Sequence, residues 1–335
     1  MIKIGIIGYG YWGINLLRNF LNTANCTVTA ICDARPERLE KALLIEKSLK
    51  TFTNIDEFLS KASIDAVIIA TPVFLHYPLA KKALLAGKHV LVEKPMTSSS
   101  DEAKELIDIS NKKNLILAVD HTFLYTNSVQ KIKSIIDNGE LGSLQYFDST
   151  RINLGLFQPD VNVIWDLAPH DISILNYLVN ERPISVQCTG QSHTNNGIEN
   201  IAYLSLQYQS NFIAHFACSW VSPVKIRRIF IGGDRKMCLY DDVEPTEKIK
   251  IYDSGFSATT ETEKHKLLID YRVGDIYIPK IAQNEALAGL AFDFIQAIST
   301  HSKTIVDGFA GLEVVQILEA AQQSISNGGK EIKLI

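Results

Sequence analysis

The segment Gly8-Tyr9-Gly10-Tyr11-Trp12-Gly13 restricts the fold of this chain more than any other. It follows an apolar run, Ile2–Ile7, and opens a stretch in which Ile14, Leu16, Leu17 and Phe20 recur at helical spacing. A strand that turns through glycines directly into a helix is the first turn of a doubly wound sheet. Gly8 serves the tight turn, Gly10 lets backbone approach a pyrophosphate, and Gly13 lets the helix pack closely on the strand. The first N–H groups of that helix have no partner within it and suit a phosphate anion. The whole loop, Tyr9, Tyr11 and Trp12 included, is thus a candidate cofactor cradle. Asp33 completes the pattern about 20 residues on, after the strand Val28–Cys32. Its carboxylate would accept from ribose hydroxyls and repel a 2′-phosphate, which favours NAD over NADP. Arg35 and Arg38 lie close enough to soften that preference. Alternatively, Asp33 caps the helix that starts at Pro36.

Further strands are expected at Ala66–Ala70, His89–Val92 and Leu115–Val119, as near-continuous Val/Ile/Leu runs. Amphipathic segments alternate with them at Pro36–Ser48, Ile55–Leu59, Tyr77–Ala86 and Asp101–Asn111, the last preceded by three serines. After a helix near Ser128–Asn138 the pattern changes. Alternating stretches at Leu144–Leu154, Ser185–Gly190, Ile201–Tyr208, Phe212–Trp220, Arg227–Ile231 and Lys236–Asp241 read as strands joined by short polar turns. Helices at Glu285–Thr300 and Gly308–Ser326 close the chain. The expected class is α/β: an N-terminal doubly wound parallel sheet over residues 1–120, then an α+β domain with an open, mainly antiparallel sheet over 121–335. A length of 335 residues agrees with two domains.

Composition narrows the class of function. Thirty-three basic against 37 acidic side chains leave a net charge of −4, which gives no broad footprint for nucleic acid or anionic lipid. No apolar run is long enough to span a bilayer, and Met1–Gly5 has no leader-like pattern. The cysteines, Cys26, Cys32, Cys188, Cys218 and Cys238, are odd in number and scattered, without metal-ligand spacing. A cytoplasmic protein without a metal, its thiols reduced, is expected.

Two other segments carry chemistry. Glu93-Lys94 follows the strand His89–Val92, and ligands of open α/β sheets bind outside the carboxyl ends of the strands. Lys94 could reach a substrate there and Glu93 could hold cofactor hydroxyls; a surface ion pair is the plainer alternative. In Trp165-Asp166-Leu167-Ala168-Pro169-His170-Asp171, Pro169 is best tolerated in a first helical turn, which puts the helix start near Asp166. Asp166 and His170 then share a face with Ser173 and Tyr177, and the carboxylate can orient the ring and raise its basicity. A structural Asp–His pair would look the same.

Together these residues resemble the glucose–fructose oxidoreductase/inositol dehydrogenase/MocA family. The resemblance rests on Gly8-x-Gly10-x-x-Gly13, Asp33, Ala70-Thr71-Pro72 with His76, Glu93-Lys94-Pro95, Asp166-x-x-x-His170 and the closing Ala310–Val315 helix. It implies a Rossmann domain that holds NAD by Gly8–Gly13, Asp33, Arg38, Thr71, Pro72, His76, Glu93 and Lys94. It also implies catalysis by His170 as general base, oriented by Asp166, with Lys94 polarising the alkoxide. The run from Arg151 to Asp171 resembles the branch that oxidises nucleotide-activated sugars, the UDP-N-acetylglucosamine 3-dehydrogenases in particular. Arg151, Asn153, Gln158, Asn162 and Trp165 then become candidates for sugar and diphosphate contacts, with His121 and Tyr125 as further ones. A free cyclitol or hexose dehydrogenase, a reductase of a 3-keto dTDP-sugar and an NAD-responsive binding protein are the competing readings. A homodimer or homotetramer is expected from the open sheet.

Overall fold

The computed structural model describes residues 1–155, 157–158, 160–257 and 270–334. It divides into two compact units: residues 1–126 with 284–316, and residues 127–283 with 317–335. The expected division lay at 120. The chain leaves the first unit six residues later and returns to it for residues 284–316.

In the first unit, six strands form a parallel sheet in the order β3-β2-β1-β4-β5-β6. They are β1 (Ile2–Ile7), β2 (Cys26–Cys32), β3 (Lys50–Phe52), β4 (Ala66–Ile69), β5 (His89–Glu93) and β6 (Leu117–Asp120). Helices α1 (Tyr11–Leu21), α2 (Pro36–Ile45), α3 (Ile55–Lys61), α4 (His76–Leu85) and α5 (Ser100–Lys112) connect them. The central strands read as unbroken apolar runs because both faces are covered: all of β4 is buried, as are Ile4, Ile6 and Ile7 of β1. Strand β3 escapes the sequence pattern because it is short, polar and at the sheet edge, with Lys50 and Thr51 exposed. Ser99 caps α5 by accepting from the Glu102 N–H at 3.3 Å.

Register fixes which residues share the carboxyl edge. Ile7 pairs with Ile69, Ile69 with Val92, and Glu93 with Asp120. Hence Gly8, Ala70-Thr71, Glu93-Lys94 and Asp120-His121 leave the sheet side by side.

The second unit opens with α6 (Asn127–Asp137), followed by β7 (Leu144–Leu154), α7 (Val163–Leu178), β8 (Pro183–Gln191), β9 (Ile201–Tyr208) and β10 (Ile213–Ser219). Then come β11 (Val221–Gly233), β12 (Met237–Asp241) and β13 (Ile249–Tyr252). The short β14 (Gly255–Ser257) and β15 (Asp270–Arg272) pair with each other, and β16 (Ile276–Tyr277) and β17 (Ile332–Lys333) end the two edges. The nine-stranded order is β16-β13-β12-β11-β7-β10-β9-β8-β17. All its pairings are antiparallel except β7 with β10, which are parallel and joined by a crossover that includes α7. Along β7, Phe147, Ser149 and Arg151 are buried and alternate with half-exposed residues; α7 packs on this strand and on β9 and β10.

The last helices are α8 (Ala286–Thr300) and α9 (Gly308–Ser326). In α8, Leu287, Leu290, Ala291, Phe294 and Ile298 make one buried stripe, and Phe294 meets Phe20 of α1 edge to face at 6.4 Å.

Candidate active site

The glycine turn is built as its spacing requires. Gly8 has φ +91°, and a Cβ there would lie 2.4 Å from the Ala70 carbonyl oxygen. Only glycine lets the chain turn so tightly over the end of β4. A Cβ at Gly13 would lie 2.2 Å from the Gly8 carbonyl oxygen, so α1 rests directly on the turn. Gly10 differs: its φ is −86°, and a Cβ would meet only Arg38 Nη1, at 3.5 Å. Among the described residues nothing but Arg38 Nη1 comes near the space beside Gly10, and α1 has no side-chain cap there. That is the open cradle a pyrophosphate would fill.

Asp33 lies beside this loop and is 7 % exposed. Its Oδ2 accepts from the Tyr9 N–H at 2.7 Å and from Arg38 Nη1 at 3.3 Å, and its Oδ1 accepts from the Arg35 N–H at 2.9 Å. Burial pushes the carboxyl up, but these donors outweigh it and hold the group below the usual carboxylate range. Asp33 is not the cap of α2, because Arg35 occupies that position. Arg38 turns its guanidinium to Asp33 rather than standing apart as a receptor for a 2′-phosphate. Tyr9 is buried, whereas Tyr11 and Trp12 are exposed and stack edge to face at 5.3 Å.

At the ends of β4 and β5 lies His76, expected among the cofactor contacts. It is buried, with Nε2 2.8 Å from the Thr71 carbonyl oxygen and Nδ1 2.8 Å from the Pro95 carbonyl oxygen. Burial lowers its pKa, which favours the neutral ring, and a neutral ring donates to only one of these carbonyls. The Thr71 hydroxyl oxygen, beside Pro72, is buried without a hydrogen-bond partner. Such an orphan at a strand end fits a site completed by a ligand.

Glu93 is buried, which removes the alternative of a surface ion pair with Lys94. The Lys94 N–H donates to Glu93 Oε2 at 3.2 Å. One strand over, the buried Asp120 carboxyl lies beside that of Glu93 and accepts from the backbone N–H and hydroxyl of Thr122. His121 is wholly buried with neither ring nitrogen paired, and burial and the nearby Lys94 push its pKa down to about 3. The Tyr125 hydroxyl donates to Asp293 at 2.5 Å.

In the second unit, α7 starts earlier than expected. Asn162 is its N-cap, accepting from the N–H groups of Ile164 and Trp165 at 3.2 Å each. The amide of Asn162 also donates to Glu199 at 2.9 Å and to Gln322 at 2.8 Å. Asn162 therefore caps α7, with its amide bonded within the same unit. Pro169 lies inside the helix rather than in its first turn, and its missing N–H removes one helical hydrogen bond.

Arg151 likewise makes its hydrogen bonds within the unit. Its side chain is 4 % exposed and grips Asp171 of α7, Nε to Oδ2 at 2.9 Å and Nη2 to Oδ1 at 2.5 Å. The alternation of β7 turns Arg151 inward, where it braces helix to sheet. Burial works against its charge, and Asp171 more than offsets that, raising its pKa. Asn153, Gln158 and Trp165 are half-buried and remain open to a ligand role; Leu156 and Pro159 of the same run lie outside the described residues.

Asp166 and His170 sit one turn apart on α7, both half-buried. Asp166 Oδ2 accepts from the indole N–H of Trp220 at 2.9 Å. Trp220 is fully buried after β10, and with it a residue that spacing alone could not supply enters the site. Ser173 is no part of an open polar face, since its hydroxyl donates to the His170 carbonyl at 2.7 Å.

Among the described residues no helix is long and apolar enough to cross a membrane, and no cluster of His, Cys, Asp or Glu is suited to a metal ion. The five cysteines are buried and unbridged.

Residues 2–121 match the GFO/IDH/MocA oxidoreductase family, NAD-binding Rossmann fold, and residues 129–238 match the GFO/IDH/MocA C-terminal domain. The chain is 27 % identical over 319 residues to the UDP-N-acetylglucosamine 3-dehydrogenase of Acidithiobacillus ferrooxidans, covering 94 % of each chain. A solved structure of that enzyme, GnnA, superposes with a TM-score of 0.80 at 24 % identity, covering 98 % of this chain and 99 % of the other. The fold is shared with the WlbA dehydrogenase of Bordetella pertussis in complex with NADH and UDP-GlcNAcA (TM-score 0.81, 19 % identity, 100 % and 99 % covered). It is shared too with scyllo-inositol dehydrogenase of Lactobacillus casei with bound NAD(H) and scyllo-inositol (TM-score 0.80, 19 % identity, 99 % of each covered). With the cradle at Gly10 and the held carboxylate of Asp33, these matches make the chain an NAD-binding oxidoreductase of the GFO/IDH/MocA family.

Proposed function

We propose that the protein oxidises a secondary hydroxyl, C3, of a nucleotide-activated sugar such as UDP-N-acetylglucosamine, with hydride transfer to NAD. The observation that carries this reading is the match over 94 % of both chains to a UDP-N-acetylglucosamine 3-dehydrogenase. When bound, NAD supplies the hydride acceptor, and the protein's task is to bind, orient and move a proton. Gly8–Gly13 hold the pyrophosphate and Asp33 the ribose hydroxyls. His170 takes the hydroxyl proton, kept in place by its helix neighbour Asp166, which Trp220 in turn anchors. The Lys94 ammonium stabilises negative charge on the carbinol oxygen as the proton leaves. Asn153, Gln158 and Trp165 are the remaining candidates for holding the sugar and its diphosphate. The same reading makes the protein a cytoplasmic homodimer or homotetramer, associating through the sheet face on which Tyr203 and Ile213 are exposed.

The test is NADH formation by the purified protein with UDP- and dTDP-sugars, beside free inositol and glucose. UDP-N-acetylglucosamine should be turned over, with the activity lost in Lys94→Ala and in His170→Asn. Turnover of a free polyol alone would overturn the substrate and favour the cyclitol dehydrogenase reading. NADH formation unchanged in both variants would overturn the residue roles.

A further inference from the structure

Two buried carboxyl groups meet where β5 and β6 leave the parallel sheet. Glu93 and Asp120 are register partners on neighbouring parallel strands and both are buried, which brings their carboxyl groups side by side. Two buried carboxyl groups so placed can bond to each other only if one of them carries a proton. The surroundings do not provide for two negative charges. Thr122 satisfies Asp120 Oδ1, the Lys94 N–H satisfies Glu93 Oε2, and Glu93 Oε1 is buried with no partner. The charged group acting on both carboxyls is Lys94; it also faces the neutral His121 on the β6 side and His76 from the β4 side.

We propose that Asp120 is a positioning residue: it shares one proton with Glu93, so that the pair presents a single negative charge to Lys94. One carboxylate against one ammonium keeps Lys94 charged at the strand ends. Loss of the shared proton would put two charges beside the ammonium and draw it back into the pair. Burial raises the pKa of both carboxyls above the ordinary carboxylate value, and repulsion from Asp120 adds to it at Glu93, in line with this arrangement. The effect on turnover rests on the dehydrogenase reading above; the shared proton does not.

The experiment is infrared spectroscopy of the full-length protein across pH, joined to pH profiles. The wild type should show a protonated carboxylic-acid stretch at neutral pH that shifts in deuterium oxide and fades as pH rises. Asp120→Asn should abolish it while still binding NADH, and Glu93→Gln should abolish it as well. In Asp120→Asn, whose amide stands in for the protonated acid, the alkaline limb of kcat/KM should move upward by about one pH unit or more. Absence of the acid band in the wild type would overturn the shared proton even if the enzyme is an active dehydrogenase. A band that Asp120→Asn removes while the alkaline limb stays in place would overturn the link to Lys94. If no substrate is turned over, the same limb is read from the pH dependence of NADH binding, so failure of the substrate reading leaves this inference separately decidable. If a variant does not fold, fading of the wild-type band with pH still decides the shared proton.

Discussion

Substitution of the loop glycines by alanine separates folding from cofactor binding, because the three positions differ in what a methyl group meets. At Gly13 the new Cβ falls 2.2 Å from the Gly8 carbonyl oxygen, and helix or turn must shift to admit it. Overpacking of that kind costs about 1–3 kcal/mol, which lowers Tm by roughly 2–10 °C for a unit of this size. At Gly10 the backbone is extended and the new Cβ has 3.5 Å to its nearest neighbour, Arg38 Nη1. Gly10→Ala should leave stability unchanged or raise it by about 0.4–1 kcal/mol through the unfolded chain. The methyl would stand where the pyrophosphate must approach the amides. Loss of hydrogen bonds to a charged oxygen, about 1.5–3 kcal/mol, weakens NADH affinity by roughly 10- to 100-fold. Thermal unfolding and NADH fluorescence titration of the two variants read these quantities separately. Gly10→Ala binding NADH as tightly as the wild type, or losing as much stability as Gly13→Ala, would refute the cradle.

Replacement of Asp33 by Ser removes the repulsion toward a 2′-phosphate and releases Arg38; the NADPH-to-NADH affinity ratio should rise about 10- to 100-fold in competition titrations. Arg151→Met strands the Asp171 carboxylate in the interior and should cost about 3–5 kcal/mol in urea unfolding, most of it regained in Arg151→Met/Asp171→Leu. His121, held near pKa 3 in the fold against 6.5 in a free chain, is neutral when folded while the unfolded chain takes up the proton first. Its contribution is complete above pH 6.5 and is lost as pH falls toward 3, by up to about 1.4 kcal/mol per pH unit. The stability curve of His121→Asn should therefore be flatter than that of the wild type across that window.

Local signals located the first unit closely because a two-sided parallel sheet writes itself as apolar runs. Strands β1, β7 and β9 and helix α9 have the bounds that spacing indicates, and the glycine turn stands where Gly8, Gly10 and Gly13 put it. What escaped depends on pairing across the chain. The stripe of Leu290 and Phe294 shows that α8 buries a face, but only the folded chain shows that this face lies against α1. Arg151 looks the same on a strand whether its partner is Asp171 or a diphosphate, since both are anions. Asn162 likewise suits a helix cap or a ligand, and the position of Pro169 pointed to a later helix start than Val163. Asp120 and Trp220 carry no local motif. One matters because β6 is registered against β5, the other because β10 ends beneath α7.

The origin of the hydride tests the proposed reaction most directly. UDP-N-acetylglucosamine deuterated at C3 should deliver its deuterium to NAD, giving reduced cofactor one mass unit heavier. Unlabelled NADH formed from the deuterated sugar, or no reduced cofactor at all, would contradict the proposed reaction.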